Sequence, residues 1–192
     1  MSKAVHRHFK LFKPYGYLSQ FQTNAKHEVN KTFLGELYDF PEGTMAIGRL
    51  DKDSEGLLLL TTDGKTSYKI TGTNTQKEYY VQVDGIVRQD AIDALQNGVS
   101  ISHKSETYVT KPCKVFELEE APDFPERAKK IRDERHGPTT WLSITISEGK
   151  FRQVRKMTAQ VGLPTLRLVR VRVGDITLED LDMGQVAELN TL

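Results

Sequence analysis

The sequence has little of what marks secreted or membrane-bound proteins. Cys113 is the only cysteine among its 192 residues, so no internal disulfide can form, as is typical of proteins in a reducing cytoplasm. No apolar run approaches the roughly 18 residues that a membrane-spanning helix needs. The segment 1–12 carries basic residues but lacks the apolar core and cleavage site of a signal peptide. We therefore expect a cytoplasmic protein without a membrane anchor.

Acidic residues are missing from two stretches, although the chain as a whole is almost neutral, with a net charge of +1. The segment 149–172 contains seven Lys and Arg residues and no acidic one, and the segment 1–27 contains five and no acidic one. Clustered positive charge indicates a nucleic-acid contact better than the total charge does. A solvated basic face is the alternative interpretation.

The stretch 48–64, GRLDKDSEGLLLLTTDG, joins a charged loop to a purely apolar run. The run LLLL, bounded by turn residues, predicts a buried strand. Arg49 and Asp51 precede this run, and in an extended segment they share one side while Leu50 takes the other. A carboxylate beside a guanidinium at the edge of a core stays ionised and has a fixed direction. Asp51 or Asp53 could instead be an ordinary turn or helix cap.

Two further stretches are rich in aromatic residues. The segment 8–21, HFKLFKPYGYLSQF, predicts a β-hairpin with Pro14 and Gly16 in its turn. The segment 78–84 alternates apolar and polar residues, which predicts a half-buried strand with Tyr79 facing the core. Ordinary packing of aromatic side chains would explain either segment equally well.

The stretch 148–157, EGKFRQVRKM, leads into a predicted helix over 151–161. The spacing of its apolar residues predicts a buried stripe made of Phe151, Val154, Met157 and Val161. Residues three and four apart lie near one another on a helix, and the basic ones here are Arg152, Arg155 and Lys156. A solvated helix face is again the alternative.

The remaining pattern predicts short helices interspersed with strands. Helices are expected at 32–39, 65–71 and 88–96. Strands are expected at 44–47, 140–147 and 164–174, with two or three more within 99–118. The charged segment 119–137 has no clear period and is expected to form a loop. His6 and His8 alternate, but no third ligand follows at a suitable spacing, so we expect no metal site.

Together, these stretches resemble the motifs of the pseudouridine synthases, in the branch of that family that modifies ribosomal RNA. The segment 48–64 meets every fixed position of the pattern G-R-L-D-x-x-[ST]-x-G-L-[LI]-[LI]-[LV]-T-x-D-G. KEYYV at 77–81 matches K-x-Y-x-V, and EGKFRQVRKM matches E-G-[KR]-x-x-Q-[VI]-[RK]-[RK]-M. FKPYGYLS at 12–19 resembles N-K-P-x-G-[VY]-L-[SC], with Phe12 where Asn is usual. The resemblance covers nearly the whole chain.

The resemblance implies an isomerase that needs neither a metal nor a cofactor. Asp51 would be the catalytic nucleophile or base, Arg155 would pair with it, and Tyr79 would line the site against the uracil. Arg49 would hold the flipped-out conformation of the target uridine. The other residues expected to bind RNA are Lys13, Lys150, Arg152, Lys156, Arg167 and Arg170.

The resemblance also implies a fold and a substrate. We expect an α+β fold with a mixed, mostly antiparallel central sheet, flanking helices and a central cleft. One catalytic domain over 1–192, with two lobes, would form it, and no separate N-terminal RNA-binding domain is expected. The expected substrate is ribosomal RNA, in particular 23S RNA of the large subunit, bound by a monomer. The alternatives are a non-catalytic ribosome assembly factor and the same isomerase acting on transfer RNA.

Overall fold

A computed structural model of the chain describes residues 5–23, 31–72, 75–179 and 181–192. The chain divides into unit 1, formed by Met1–Asn74 and Thr177–Leu192, and unit 2, formed by Thr75–Ile176. The strands are β1 His8–Lys13, β2 Met45–Ile47, β3 Glu55–Thr61, β4 Lys77–Asp84, β5 Ser100–His103, β6 Glu106–Val109, β7 Lys114–Glu117, β8 Thr139–Ile146, β9 Thr165–Val173, β10 Ile176–Thr177 and β11 Val186–Leu189. The helices are α1 Gly64–Gly72, α2 Gln89–Asn97 and α3 Gln153–Gln160, with single 3-10 turns at Leu34–Glu36 and Glu134–His136.

The sheet of unit 1 is built on β1, which lies between β3 and β11 and is antiparallel to both. β2 pairs with β3 in the antiparallel direction. Both edges of β1 are therefore occupied, and the chain after Gly16 has no free edge to join. For this reason the expected hairpin over 8–21 is wrong. Tyr17 instead forms an isolated parallel bridge with Thr32.

β3 is the buried strand that the four leucines predict. Each of its seven residues is buried, including the polar Glu55 and Thr61 at its ends. Burying a leucine side chain contributes about 1.5–3 kcal/mol. The Asp63 carboxylate accepts hydrogen bonds from the backbone N–H groups of Lys65 (3.0 Å) and Thr66 (3.3 Å), and it caps the start of α1.

The helix expected at 32–39 is wrong in extent, because only one 3-10 turn forms there, at Leu34–Glu36. The segment is short, it contains Gly35, and Pro41 ends it, so too few residues remain to offset the cost of starting an α-helix. Leu34 is nevertheless fully buried, as its apolar character predicts.

Unit 2 contains an antiparallel sheet in the order β9, β4, β8, β7. β4 alternates as predicted: Tyr79, Val81 and Val83 are buried, and the residues between them are half-buried. β5 and β6 form a separate hairpin, which accounts for two of the strands expected within 99–118. Antiparallel sheets joined by short helices confirm the α+β class.

One glycine lets the β5–β6 hairpin follow α2 closely. Gly98 has φ +100°, and a Cβ atom at this position would lie 2.2 Å from the Thr110 carbonyl oxygen. Thr110 in turn accepts, on Oγ1, the N–H of Val99 at 2.9 Å. Only glycine permits both the backbone conformation and this close approach.

The charged segment 119–137 contains no strand or α-helix, as expected. It is tied to the sheet of unit 2 through Phe124, whose ring centroid lies 6.2 Å from that of Tyr80 and 6.0 Å from that of Trp141. Arg132 also forms an ion pair with Asp84 at the end of β4.

α3 begins two residues later than the sequence predicts, and this overturns one core assignment. Val154 and Met157 are buried as expected, Val161 is half-buried just after the end of the helix, and Phe151 is 67% exposed. The cause is Arg152, which adopts the left-handed conformation with φ 52° and ψ 35° immediately before the helix. Phe151 therefore lies in the preceding turn and outside the apolar stripe.

Candidate active site

The loop 48–54, called the Asp51 loop here, joins β2 to β3 and is held in place by a hydroxyl group. Ser19 Oγ donates to the Leu50 carbonyl oxygen at 2.7 Å and accepts the Leu50 N–H at 2.9 Å. Both peptide groups of Leu50 are thus satisfied by one buried side chain. Leu50 is itself only 6% exposed, so the residue preceding Asp51 is fixed by packing and by hydrogen bonds together.

The backbone on the other side of Asp51 is fixed as well. Gly16 N–H donates to the Lys52 carbonyl oxygen at 2.8 Å, and Ser54 N–H donates to the Asp51 carbonyl oxygen at 3.0 Å. The second bond closes a tight turn that leads into β3. Asp51 is half-buried, between the buried Leu50 and the buried Ser54. Asp51 therefore cannot shift without breaking bonds on both sides.

The turn 13–17 that supplies Gly16 is closed by Lys13. The Lys13 ammonium group donates to the carbonyl oxygens of Pro14 (3.0 Å) and Tyr17 (2.7 Å), and the side chain has no exposed surface. Gly16 adopts φ +95°, a value that side chains disfavour. The stretch KPYGYLS at 13–19 thus stabilises the Asp51 loop. Lys13 holds the turn together by its own hydrogen bonds, and Gly16 and Ser19 form hydrogen bonds to the loop.

Arg49 lies on the exposed side of the same loop. Gly48 before it has φ +71°, and this reverses the chain between β2 and the loop. Arg49 is exposed whereas Leu50 is buried, which matches the predicted alternation. An exposed guanidinium beside a fixed carboxylate-bearing loop is free to meet an anionic ligand.

In unit 2, Tyr79 lies at an irregularity of the sheet. Along β4, Glu78 is opposite Arg172 of β9, but Tyr79 is opposite Arg170, so Val171 is an extra residue. Such a bulge bends the strand and changes the direction of neighbouring side chains. Tyr79 is 8% exposed and Arg170 3% exposed.

Charged groups surround this bulge. Arg172 Nε lies 2.9 Å from Glu78 Oε2, and the other carboxylate oxygen of Glu78 accepts a hydrogen bond from Ser143. Burial lowers the pKa of the Lys77 ammonium group, and the nearby charge of Arg170 lowers it further. The strand end that holds Tyr79 is therefore rich in cations.

The turn 148–153 places the N-terminus of α3, and Glu148 is its anchor. The Glu148 carboxylate accepts hydrogen bonds from the Tyr108 hydroxyl, from Lys111 N–H at 2.8 Å and from Gln153 Nε2 at 2.6 Å. Partial burial raises the pKa of this carboxyl group, but the three donors and Lys150 outweigh burial, and the net pKa lies below its ordinary value. The hydrogen bond to Glu148 raises the pKa of Tyr108.

Arg155 lies in the first turn of α3, on the helix that this anchor orients. Its side chain is half-buried, and its Nε atom is fully buried. Its neighbours Val154 and Met157 are in the core, which fixes the rotation of the helix. The Lys156 ammonium group donates to the Ser102 carbonyl oxygen at 2.7 Å and ties α3 to β5.

The seven residues expected to bind RNA differ widely in exposure. Arg49 is exposed, and Lys150, Arg152 and Lys156 are half-buried. Lys13, Arg167 and Arg170 are buried, and Arg167 Nη2 donates to the Pro125 carbonyl oxygen at 2.8 Å. A cation without exposed surface cannot contact a phosphate in this conformation, so each of these three supports the fold of its own unit instead.

The two histidines near the N-terminus have ordinary contacts. His8 Nδ1 lies 2.9 Å from Thr61 Oγ1, and His6 Nε2 lies 4.0 Å from Asp63 Oδ1. Over 5–23, 31–72, 75–179 and 181–192, no three His, Cys, Asp or Glu side chains cluster as metal ligands would. Within those same ranges, no helix is both long and apolar enough to cross a lipid bilayer.

The sequence did not reveal the positioning residues. Ser19 and Gly16 look like ordinary turn residues, and their role depends on where the chain returns 30 residues later in the fold. Glu148 looks like the start of a turn, although its partner Tyr108 lies 40 residues earlier. The motifs held the usable signal, because N-K-P-x-G-[VY]-L-[SC] fixes Gly16 and Ser19 and E-G-[KR]-x-x-Q-[VI]-[RK]-[RK]-M fixes Glu148.

Comparisons with known proteins identify the family to which the chain belongs. The family model described as RNA pseudouridylate synthase matches residues 8–160. A ribosomal large subunit pseudouridine synthase E from Vibrio parahaemolyticus is 45% identical over 92% of this chain and 71% of its own length. A protein of the same name from Xanthomonas axonopodis pv. citri is 44% identical over 89% of this chain and 87% of its own. A crystal structure of a pseudouridylate synthase superposes with a TM-score of 0.76 at 28% identity, covering 97% of this chain and 71% of that one.

The chain belongs to the RNA pseudouridylate synthase family. It is an RNA pseudouridine synthase, an enzyme that isomerises uridine to pseudouridine within RNA.

Proposed function

We propose that this enzyme converts a specific uridine of large-subunit ribosomal RNA to pseudouridine, with Asp51 as its catalytic carboxylate. The observation that carries the proposal is the Asp51 loop, which keeps the GRLD motif in one fixed conformation through Ser19 and Gly16. The relatives named large subunit synthase E support the choice of substrate. The substrate is 23S ribosomal RNA, either free or partly assembled.

The reaction needs one reactive carboxylate. The bond between N1 of uracil and C1′ of ribose breaks, the uracil rotates, and a bond forms between C5 and C1′. C5 then loses its proton and N1 gains one, so atoms and electrons balance without an oxidant, a reductant or water. Asp51 acts either by attacking C1′ or by removing the C2′ proton, and both routes use its ionised form.

Arg155 and Tyr79 would complete the chemistry. A guanidinium that faces the Asp51 carboxylate favours its ionised form and fixes its direction. Arg155 suits this role because α3 is locked by Val154, Met157 and the Glu148 anchor. Tyr79 would line the site against the uracil and assist the loss of the C5 proton.

The RNA must present its uridine outside a base-paired stack, since the reacting atoms are out of reach within a helix. Arg49, the exposed residue of the Asp51 loop, would hold the flipped-out conformation. Lys150, Arg152 and Lys156 would contact phosphates. Affinity for RNA should therefore fall steeply as the salt concentration rises. We further propose that the enzyme acts as a monomer in the cytoplasm.

The test maps pseudouridines in large-subunit ribosomal RNA from cells with and without the gene, by carbodiimide modification and primer extension. We expect one site to disappear and to return with the wild-type protein but not with Asp51→Asn. Arg127→Ala, a change in the charged segment far along the chain from every motif, is the matched control and should restore the site. An unchanged ribosomal RNA map would overturn the choice of substrate, and transfer RNA would be mapped next.

A further inference from the structure

Phe151 is a large apolar side chain that the fold leaves uncovered. It is 67% exposed, although it lies in a motif whose neighbours Gln153 and Val154 are buried. An exposed phenyl ring forgoes the burial that makes aromatic residues stabilising in a core. A role outside the fold would account for this position.

The backbone turn that carries Phe151 is closed by two hydrogen bonds. Gln153 N–H donates to the Lys150 carbonyl oxygen at 3.1 Å, and Lys150 N–H donates to Gln153 Oε1 at 2.9 Å. Phe151 and Arg152 are thus the two tip residues of a closed turn. Arg152 is in the left-handed conformation at φ 52°, which a residue with a Cβ adopts at a cost. Strain of this kind is concentrated at functional sites, and here it keeps Phe151 out of the helix.

One lysine lies over the ring, and a second belongs to the same turn. The Lys156 ammonium nitrogen lies 5.4 Å from the centroid of Phe151, and the Lys150 ammonium nitrogen lies 4.7 Å from the centroid of Tyr108. The segment 149–174 contains no carboxylate, and the Glu148 carboxylate before it accepts three hydrogen bonds. An exposed apolar ring with a lysine over it and no acidic residue in its segment suits a ligand that has flat faces and negative charge.

We propose that Phe151 is a stacking platform for an unpaired base of the substrate RNA, with Lys150 and Lys156 on the adjoining phosphates. This inference rests on the proposed function and adds to it a contact that carries no charge. Any of the four bases can stack on a phenyl ring, so the platform contributes affinity and placement without reading sequence. An apolar protein surface fits less well, because docking it would remove the charges of both lysines from water without supplying an anion.

The experiment measures binding by fluorescence anisotropy to a labelled single-stranded oligouridylate of about 12 nucleotides, a length within the range of known single-strand sites. The second probe is the same backbone without bases. We expect wild-type protein to bind the oligouridylate about tenfold more tightly than the abasic chain, the fold-change typical of one stacked base. Phe151→Ala should lose most of this preference, and Phe151→Trp should restore it.

Phe116→Ala is the matched control, because Phe116 is also an exposed phenylalanine of unit 2, at 51%, but lies on β7 away from the turn. It should bind as wild type does. Phe151→Leu keeps an apolar side chain without a ring and should behave as Phe151→Ala does. If either Phe151→Ala or Phe151→Leu keeps the wild-type preference for the oligouridylate, the proposal that a base stacks on the ring is wrong.

Release of tritium from uridine-labelled ribosomal RNA separates the two proposals. If wild-type protein releases tritium but the stacking preference does not depend on Phe151, only the further inference fails. If wild-type protein releases none, the proposed substrate fails, whatever the oligonucleotides show.

Discussion

The Asp51 loop in unit 1 and the 148–153 turn in unit 2 solve the same problem with different chemistry. Each is a polar stretch that leads into a core element, and each depends on one central polar side chain. Ser19 bonds only to backbone, whereas Glu148 bonds to one backbone N–H and to two side chains. The Asp51 loop depends on the neutral hydroxyl of Ser19, whereas the turn depends on the ionised carboxylate of Glu148. The loop should therefore keep its shape over a wide pH range, and the turn should not.

This difference suits the proposed division of roles. Asp51 must change its bonding during catalysis, and a neutral clamp adds no competing charge beside it. The turn carries cations for RNA, and an ionised Glu148 at its base helps to hold them in place. Four predictions test this comparison, beginning with the largest expected effect.

Arg155→Ala should lower kcat by about a hundredfold, because Asp51 without the proposed guanidinium beside it would lose part of its direction and of its preference for the ionised form. Arg155→Lys should restore part of the rate, since it returns the charge without the planar guanidinium. Steady-state kinetics on labelled ribosomal RNA would check this. Unchanged kinetics for Arg155→Ala would mean that the loop functions without α3.

Ser19→Ala should lower kcat by about tenfold with little change in KM, because the loop loses its clamp while the RNA-binding residues stay in place. It should also lower the free energy of unfolding by about 2 kcal/mol, since the Leu50 peptide groups are left buried without a partner. Urea unfolding and kinetics give the two values. A loss of stability without any loss of kcat would mean that Ser19 stabilises the fold but does not position Asp51 for catalysis.

Glu148→Gln should cost only a few-fold in activity, but it should change how stability depends on pH. The folded-state pKa of Glu148 lies below its ordinary value of 4.5. Its contribution to stability is therefore complete above about pH 4.5 and is lost as the pH falls through the lower folded pKa. In urea unfolding, the difference in the free energy of unfolding between wild type and Glu148→Gln should become smaller below about pH 4.5. A difference that stays constant with pH would contradict the stabilising role of the ionised Glu148.

The smallest effect of a substitution is expected from Glu148→Gln on the reactivity of the Cys113 thiol. Burial raises the pKa of this thiol to about 11, and the charge of Glu148 contributes. At pH 8 the folded protein should react with iodoacetamide about a hundredfold more slowly than the unfolded chain, because the thiolate is the reactive form. Glu148→Gln should speed the reaction, whereas Ser19→Ala in the other unit should leave it unchanged, as mass spectrometry would show.

The sequence predicted the elements whose cause is local. The four leucines of β3, the alternation of β4 around Tyr79 and the α-helices all follow from apolar spacing within a few residues. Errors arose where a distant contact, or a local backbone conformation that apolar spacing does not show, decides the outcome. The prediction of a hairpin over 8–21 was wrong because β3 and β11 occupy both edges of β1. The prediction that Phe151 is buried was wrong because Arg152 adopts the left-handed conformation, which apolar spacing does not indicate.

The candidate site divides in the same way. Motifs pointed to Asp51, Tyr79 and Arg155, whose chemistry is visible in the residue type. The motifs also contain Ser19 and Glu148, but they did not show the positioning role of either residue, because its bonding partners come close only after folding. Lys13 shows the reverse case, because a lysine that looks like a phosphate ligand lies buried and closes a turn.

The most direct test of Asp51 as the catalytic carboxylate is tritium release from large-subunit ribosomal RNA labelled at C5 of uridine, with purified wild-type protein and Asp51→Asn. Pseudouridine formation expels the C5 hydrogen, so wild-type protein should release tritium. Asp51→Asn should bind the RNA within a few-fold of wild type and release none above background. Release by Asp51→Asn at the wild-type rate would contradict the account, because the chemistry would then belong to another residue.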